Sequence, residues 1–386
     1  MRFSRAGRVS LAAVGSLALA LAAAACSGSS AGTSSATTSA HLEKTNLVVA
    51  ALPVVDAAGV YLAIKNGYFR QVGLTVTVKP VAKSTEAIPG MASGAVDMVD
   101  ASYTSFFQAE ISSPQNFQFK VVADGNSCTA DSDEVLALPS SGIKSPAQLA
   151  GKTIAVNLAN NIQTLMINTE LAANGVNPAT VHYKVVPFPL MAAQVKAHRV
   201  DAIGVVEPFI TSAELGVGAV PILSECTGPT ADFPISGYFA TKAWTQKYPN
   251  TARAFQEAMA KGQALADSSR AAVQQILPTY IKGLSGQQAA IVNLGQYPTT
   301  IDAVHLQRMI SLMYTGGLIR KQVSVQPMLF RQLDAKQPDA RVARTLADPT
   351  DHRRVTCRRS SYFQVKWSRR RPILAPDCGR QERGQG

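Results

Sequence analysis

Motifs for catalysis and metal binding are missing from this sequence of 386 residues. It has no G-x-S-x-G nucleophile elbow, no Walker phosphate loop and no G-x-G-x-x-G turn after a predicted strand. Histidine is scarce, and no histidine stands at metal-ligand spacing from a cysteine or an acid. The five histidines are His41, His182, His198, His305 and His352. We therefore expect neither an enzyme nor a metalloprotein, and no cofactor.

The body of the chain carries little net charge. The formal charge is +12, but residues 1–25 hold three arginines, and residues 341–386 hold twelve basic and four acidic side chains. The residues between these two ends are close to neutral. The sequence pI of about 9.6 therefore gives no reason to expect a nucleic-acid partner.

Residues 1–25 are typical of an export signal. The start "MRFSRAGR" is basic, and the apolar run "VSLAAVGSLALALAAAA" ends in small residues. A transmembrane helix is the alternative, but the run is rich in alanine and a polar stretch follows it at once. We interpret residues 1–25 as a signal peptide.

The segment "LAAAAC", which ends at Cys26, resembles a bacterial lipobox, with Ala23 where that motif prefers leucine. The resemblance implies that Cys26 carries diacylglycerol and palmitate chains and becomes the mature N-terminus. Such chains anchor a protein without spanning the bilayer. Residues 26–45 are rich in Ser, Thr and Gly, which favours a flexible tether on the outer face of the cell membrane.

From Asn46 to about residue 225, strand-like and helix-like segments alternate. This order predicts an α/β protein with βαβ units and parallel sheets. From about Tyr248 the pattern is helical. We predict a first lobe from residues 46–127 and 228–332, with a helical C-terminal return, and a second lobe from residues 128–227.

Two chain crossings between such lobes would act as a hinge, with a ligand bound in the cleft between them. Beyond them, residues 333–386 combine arginine clusters with Cys357 and Cys378 and show no apolar period. We favour a disordered or out-of-frame extension there. A basic arm that touches anionic lipid is the alternative.

The order of three segments carries a family resemblance: "LPVVDAAGVYLAIKNGYFRQVGLTVTVKP", "GMASGAVDMVDAS" and "VDAIGVVEPF". It resembles the solute-binding proteins of ABC importers for nitrate, sulfonate and taurine and for thiamine pyrimidine precursors. The resemblance covers residues 46–330. It implies a type II periplasmic-binding-protein fold, a small-molecule solute, and a permease with its ATPase as partners.

Candidate binding residues stand where predicted strands end, because ligands of open α/β sheets bind there. Each also has a purely structural alternative, such as capping a helix. In the first lobe the candidates are Asp56, Gly59, Tyr61, Ser102, Tyr103 and Thr104. In the second lobe they are Asn157, Asn160, Asn161 and Glu207, with Phe233 and Tyr238 as further stacking candidates. No arginine lies at these strand ends, so we expect a neutral or N–H-rich solute rather than a strongly anionic one.

Cys128 and Cys226 fall where the chain should cross between the lobes, and adjacent crossings could bring them within disulfide range. Two unpaired thiols are the alternative. Two other functions also remain open at this point: a sensor module that feeds a kinase, and a pyrimidine-precursor synthase. The synthases depend on a cysteine-rich motif, and this chain has no cysteine cluster.

Overall fold

A computed structural model describes residues 41–331. The predicted signal peptide, Cys26, most of the tether and the basic tail lie outside the described residues. Within residues 41–331, no helix combines the length and the hydropathy needed to cross a bilayer.

The first part of the chain builds four strands of one sheet. They are β1 (Asn46–Ala51), β2 (Thr75–Pro80), β3 (Met98–Ser102) and β4 (Phe119–Ser127). The helices that connect them are α1 (Ala58–Lys65), α2 (Tyr68–Gln71), α3 (Ile88–Ser93) and α4 (Tyr103–Ser112). Gly67 separates α1 from α2 in a left-handed conformation with φ of 70°, which glycine adopts without steric cost.

The next hundred residues build a second sheet of five strands. They are β5 (Asp133–Ala137), β6 (Thr153–Val156), β7 (His182–Val185), β8 (Ala202–Val206) and β9 (Val220–Ser224), in the order β7-β6-β8-β5-β9. Its α-helices are α5 (Ile162–Ala173), α6 (Phe188–Lys196) and α7 (Phe209–Val217). Apolar side chains on both faces of this sheet are buried, as expected for strands covered by helices.

The chain then returns to the first sheet through β10 (Pro234–Thr241), which gives the order β2-β1-β3-β10-β4. Helices complete the described chain. They are α8 (Lys242–Lys247), α9 (Pro249–Ser268), α10 (Arg270–Ile276), α11 (Gly286–Ile291) and α12 (Ala303–Thr315). The long helix α9 packs its apolar face on α1 and α2.

The prediction of parallel sheets was wrong for one part of each sheet. Strand β10 runs antiparallel to β3 and β4, and β5 runs antiparallel to β8 and β9. β5 is the first strand after the chain crosses to the second sheet, and β10 is the first strand after it crosses back. Each therefore enters its sheet at the end where the neighbouring strands finish. The segment of β10 was not predicted as a strand, because Ser236 and Gly237 interrupt its apolar run.

Candidate ligand-binding cleft

A cavity of about 80 Å³ lies between the two sheets and takes lining residues from both. The first sheet contributes Leu52 after β1 and Ser102 at the end of β3. The second contributes Asn157 after β6 and Val206 at the end of β8. All four strands therefore present their carboxyl ends to one cleft, where α/β proteins bind ligands.

Four of the twelve predicted binding residues line this cleft: Asp56, Ser102, Asn157 and Asn161. Asp56 sits in a helical turn, Val55–Ala57, just before α1. Asn161 caps α5, and its side-chain oxygen accepts a hydrogen bond from the backbone N–H of Thr164 at 3.3 Å. Their contact with a solute stays a prediction.

The other eight predicted residues are not among those that line the cleft. Gly59 faces α9, because a Cβ at position 59 would collide with the side-chain oxygen of Gln263. Tyr61 stacks on Tyr280, with ring centroids 3.8 Å apart and planes 5° apart. Both residues thus serve the packing of helices around α1.

Four aromatic or hydroxyl candidates belong to the first lobe's interior rather than to the cleft lining. The hydroxyl of Tyr103 donates a hydrogen bond to Asp124 at 2.7 Å. Thr104 is fully buried, and its hydroxyl lies 2.9 Å from that of Ser102. Phe233 and Tyr238 are also fully buried.

Two candidates of the second lobe have structural roles. Glu207 receives hydrogen bonds at the start of α7 from the backbone N–H of Thr211 at 3.2 Å and from its hydroxyl at 2.9 Å. A third comes from the backbone N–H of Asn293 at 3.0 Å. Asn160 takes a left-handed backbone conformation, with φ of 52°, that shapes the turn before α5.

Two cleft carboxylates were missed by the sequence reasoning. Asp100 lies inside β3, and Asp133 is the first residue of β5; both line the cleft. Asp100 falls inside a predicted strand and Asp133 immediately precedes one, and neither is among the residues predicted to bind a solute. The sequence does contain a signal for them. A carboxylate next to an apolar run with no nearby basic residue is costly to bury unpaired, so it is a candidate for ligand binding.

Burial is the first cause of a raised pKa at all three cleft aspartates, and neighbouring carboxylates add to it. Burial, and then the charge of Asp100, raise the pKa of Asp56 to about 7. Burial also raises the pKa of Asp100 to about 7, with the Ser236 hydroxyl opposing it and Asp124 adding to it. For Asp133, burial and then the charge of Asp56 raise the pKa to about 7. No basic side chain offsets these effects.

The titratable groups that interact electrostatically with Asp100 are acidic. They are the carboxyl groups of Asp56 and Asp124 and several phenol groups. The charge of Asp100 contributes to a raised pKa at Tyr61, Tyr103, Tyr238 and Tyr280. Lys83 is the only basic residue among those that line the cleft.

Cys128 and Cys226 are placed side by side, with Cα atoms 5.9 Å apart and sulfur atoms within bonding range. They close a stretch with a sequence separation of 98 residues, on either side of the second sheet. Together with Asp133 they are also the only group of three potential metal ligands within 4.8 Å that residues 41–331 contain. A disulfide would remove both sulfurs from such a role.

We expect a disulfide between Cys128 and Cys226, because their geometry permits one and the predicted signal peptide would direct the chain to an oxidising compartment. Protease digestion without reductant, followed by mass spectrometry, should give one cross-linked pair of peptides that contain these two residues. Reduction should separate the pair. Recovery of both residues on separate, alkylated peptides from unreduced protein would contradict the prediction.

Known proteins share sequence and structural features with this chain. The profile of the NMT1/THI5-like family matches residues 55–269, which is more than half of the chain. The chain belongs to this family. The match includes the Asp56 turn, all of the second sheet and β10, so it contains every residue that lines the cleft except Leu52 and Val54.

Relatives of this NMT1/THI5-like protein include the nitrate/nitrite binding protein NrtA of Nostoc sp. (strain PCC 7120). The two are 24% identical over 251 residues, which are 59% of this chain and 55% of NrtA. The aligned part thus spans about half the length of that relative.

Solved structures show the fold. The aliphatic sulphonate binding protein SsuA of Escherichia coli superimposes with a TM-score of 0.60 and 16% identity, over 74% of this chain and 97% of that one. The nitrate-binding protein NrtA of Synechocystis PCC 6803 gives 0.62 and 16%, over 75% and 85%. The predicted two-lobe, type II periplasmic-binding-protein fold is confirmed.

Proposed function

We propose that this NMT1/THI5-like protein captures a small solute between its two lobes and delivers it to an ABC importer permease with its ATPase. The observation that supports this most is the cleft itself, where strand ends of both sheets meet. A solute there touches both lobes, so its binding energy can favour a closed arrangement that a permease distinguishes from the empty one.

The proposal includes attachment to the outer face of the cell membrane. The lipobox-like segment at Cys26 supports a lipid anchor, and the polar residues after it support a tether. A binding protein held at the membrane remains close to its permease, so each captured molecule has a short path to the transporter.

Capture in the cleft predicts that filling the cleft abolishes binding. Ser105, at the start of α4, lines the cavity, whereas Ser112, at the far end of the same helix, is exposed. Small molecules that co-purify with the native protein should be identified by mass spectrometry and added back in a thermal-shift assay. They should raise the Tm of the wild type and of Ser112→Phe but not that of Ser105→Phe.

The two variants make the same substitution on one helix, so a loss confined to Ser105→Phe is attributable to the cleft. Equal shifts in both variants would place the solute elsewhere. If no compound co-purifies and no member of a metabolite library raises the Tm of the wild type, the proposed function is wrong.

A further inference from the structure

The cleft has more carboxylate groups than its basic residues can pair. Asp56, Asp100 and Asp133 line it from three different elements, and no ion pair within residues 41–331 includes any of them. Buried charges in proteins are usually paired, because an isolated charge in a low-dielectric site is costly. The three aspartates without an ion pair therefore indicate that the solute itself carries the positive group that pairs with them.

A second observation is independent of the charge count. Asp100 and Ser236 are almost completely buried, at 4% and 5% exposure, and both line the cleft. One carboxylate oxygen of Asp100 and the hydroxyl of Ser236 make no hydrogen bond of acceptable geometry, although the hydroxyl lies close enough to oppose the raised pKa of Asp100. Buried polar atoms are normally satisfied. The free carboxylate oxygen can only accept when ionised, so its missing partner is a donor.

The spacing of the three carboxylates argues against a bare metal ion. Within the described residues, the only group of potential metal ligands whose atoms all lie within 4.8 Å is the one at Cys128. Asp56, Asp100 and Asp133 do not form such a group. A Ca²⁺ or Zn²⁺ ion needs its oxygen ligands at about 2.0 to 2.6 Å from one centre, so these carboxylates are too dispersed to share an ion.

An apolar chamber adjoins the acidic cleft. Its volume is about 310 Å³, and it shares Leu52, Val54, Asn157 and Phe188 with the cleft lining. Phe188 and Phe209 stack in its wall, with ring centroids 5.4 Å apart. The remaining wall is rich in proline and small apolar residues and contains no charged side chain.

We propose that the solute is an organic cation with N–H donors, which meets Asp56, Asp100 and Asp133 with its charged end and places an apolar body against Phe188 and Phe209. This inference rests on the proposed function and adds the ligand's chemical class to it. An ammonium or amidinium group donates several hydrogen bonds at once, and such charge-assisted bonds are the strong ones.

A cationic ligand would differ from the anionic ligands in the names of the relatives, which are nitrate, nitrite and sulphonate. A nitrate or a sulfonate would bring a negative charge to three carboxylates, with Lys83 as the single basic residue in the lining. Like charges repel, and they do so more strongly where side chains are buried than in bulk water. The same cleft attracts a cation, and the raised pKa values of the aspartates fall back as that cation binds.

Three probes with one apolar body and different end groups test the charge class: 2-phenylethylammonium, 2-phenylethanol and 2-phenylethanesulfonate. Isothermal titration of the purified protein at about pH 8, where the aspartates ionise, should show binding of the ammonium at least about tenfold tighter than that of the alcohol. The sulfonate should not bind. Asp100→Asn should weaken ammonium binding by about tenfold or more, since it removes a charged acceptor and keeps the shape.

Glu257→Gln is the matched control, because it removes one carboxylate from the exposed face of α9. It should leave the affinity unchanged. Alcohol or sulfonate binding as tight as that of the ammonium overturns the inference, and so does a Ca²⁺ or Zn²⁺ complex that Asp100→Asn abolishes.

The charge of the co-purified compound distinguishes a failure of this inference from a failure of the proposed function. If no probe binds but a neutral or anionic compound co-purifies and raises the Tm, the inference fails and the proposed function stands. A cationic compound that needs Asp100 supports both. If nothing binds in the cleft, both are overturned.

Discussion

Asparagine in place of Asp100 is expected to raise the free energy of unfolding of the ligand-free protein at about pH 8, by on the order of 2 to 4 kcal/mol. Asp100 is almost fully buried, and its pKa is raised from 3.8 to about 7, first by burial. The amide has a similar shape and no charge. The variant therefore removes the cost of an ionised, unpaired group in the empty cleft.

The pH dependence of this gain has a definite sign. Between about pH 4 and pH 7, an unfolded chain has released the proton of this carboxyl group, whereas the folded protein still holds it. The stability of the wild type therefore falls as the pH rises through this window, and it levels off above about 7. Near pH 4 the folded protein still holds the proton and the unfolded chain has released only about half of it, so little of the loss has accumulated and Asp100→Asn should have a small effect there.

Denaturant unfolding of both proteins at about pH 4.5, 6 and 8 would measure this difference. Asp56 and Asp133 have raised pKa values as well, so part of the slope remains in the variant. Glu257→Gln serves again as a control, since an exposed carboxylate should not alter the slope. An equal effect of Asp100→Asn at all three pH values would contradict the explanation.

Asp100 is expected to lower the stability of the empty protein and to strengthen cation binding. The same substitution that stabilises the empty protein should weaken cation binding, because the carboxylate is costly only while it lacks a partner. Buried ionisable groups that destabilise the empty protein are common at functional sites, because they become stabilising when the ligand is bound. A stabilised variant that still bound the ammonium probe would separate these two properties and remove Asp100 from the site.

Much of the fold was readable from sequence because its signals are local. The apolar run of β1, the alternation of β2 and the glycine at position 67 each lie within a few residues. The direction of β10 was not readable in this way. It depends on where the chain re-enters a sheet that began at Asn46, about 190 residues before Pro234, and no nearby residue signals that direction.

The site was predicted only in part, for a related reason. Asp56 and Asn161 lie in the short segments that connect β1 and β6 to the helices after them, so the rule that ligands bind at strand ends could find them. Asp100 and Asp133 lie within strands, and only the tertiary arrangement turns them towards one cavity. Tyr61 does not line the cleft, and its ring stacks on Tyr280, which is far away in sequence.

The substitution Gly262→Ala is expected to lower the free energy of unfolding by about 2 kcal/mol. A Cβ at position 262 would collide with the backbone carbonyl oxygen of Gly59 and lie 2.8 Å from the Cβ of Ala63. Overpacking of this kind costs about 1 to 3 kcal/mol or more, and the better helix propensity of alanine returns about 1 kcal/mol. Helix α1 cannot easily move away, because its side chains Val60 and Leu62 are fixed in the buried core.

The helix α7 offers the matched control. A Cβ at Gly216 meets no atom within 4 Å, so Gly216→Ala should stabilise the protein by up to about 1 kcal/mol through helix propensity alone. The two variants thus make the same change in two helices and should move the denaturant midpoint in opposite directions. Equal shifts would mean that α1 and α9 adjust without strain. In that case the glycine at position 59 would no longer be explained by helix packing, and its predicted role beside the solute would need a new test.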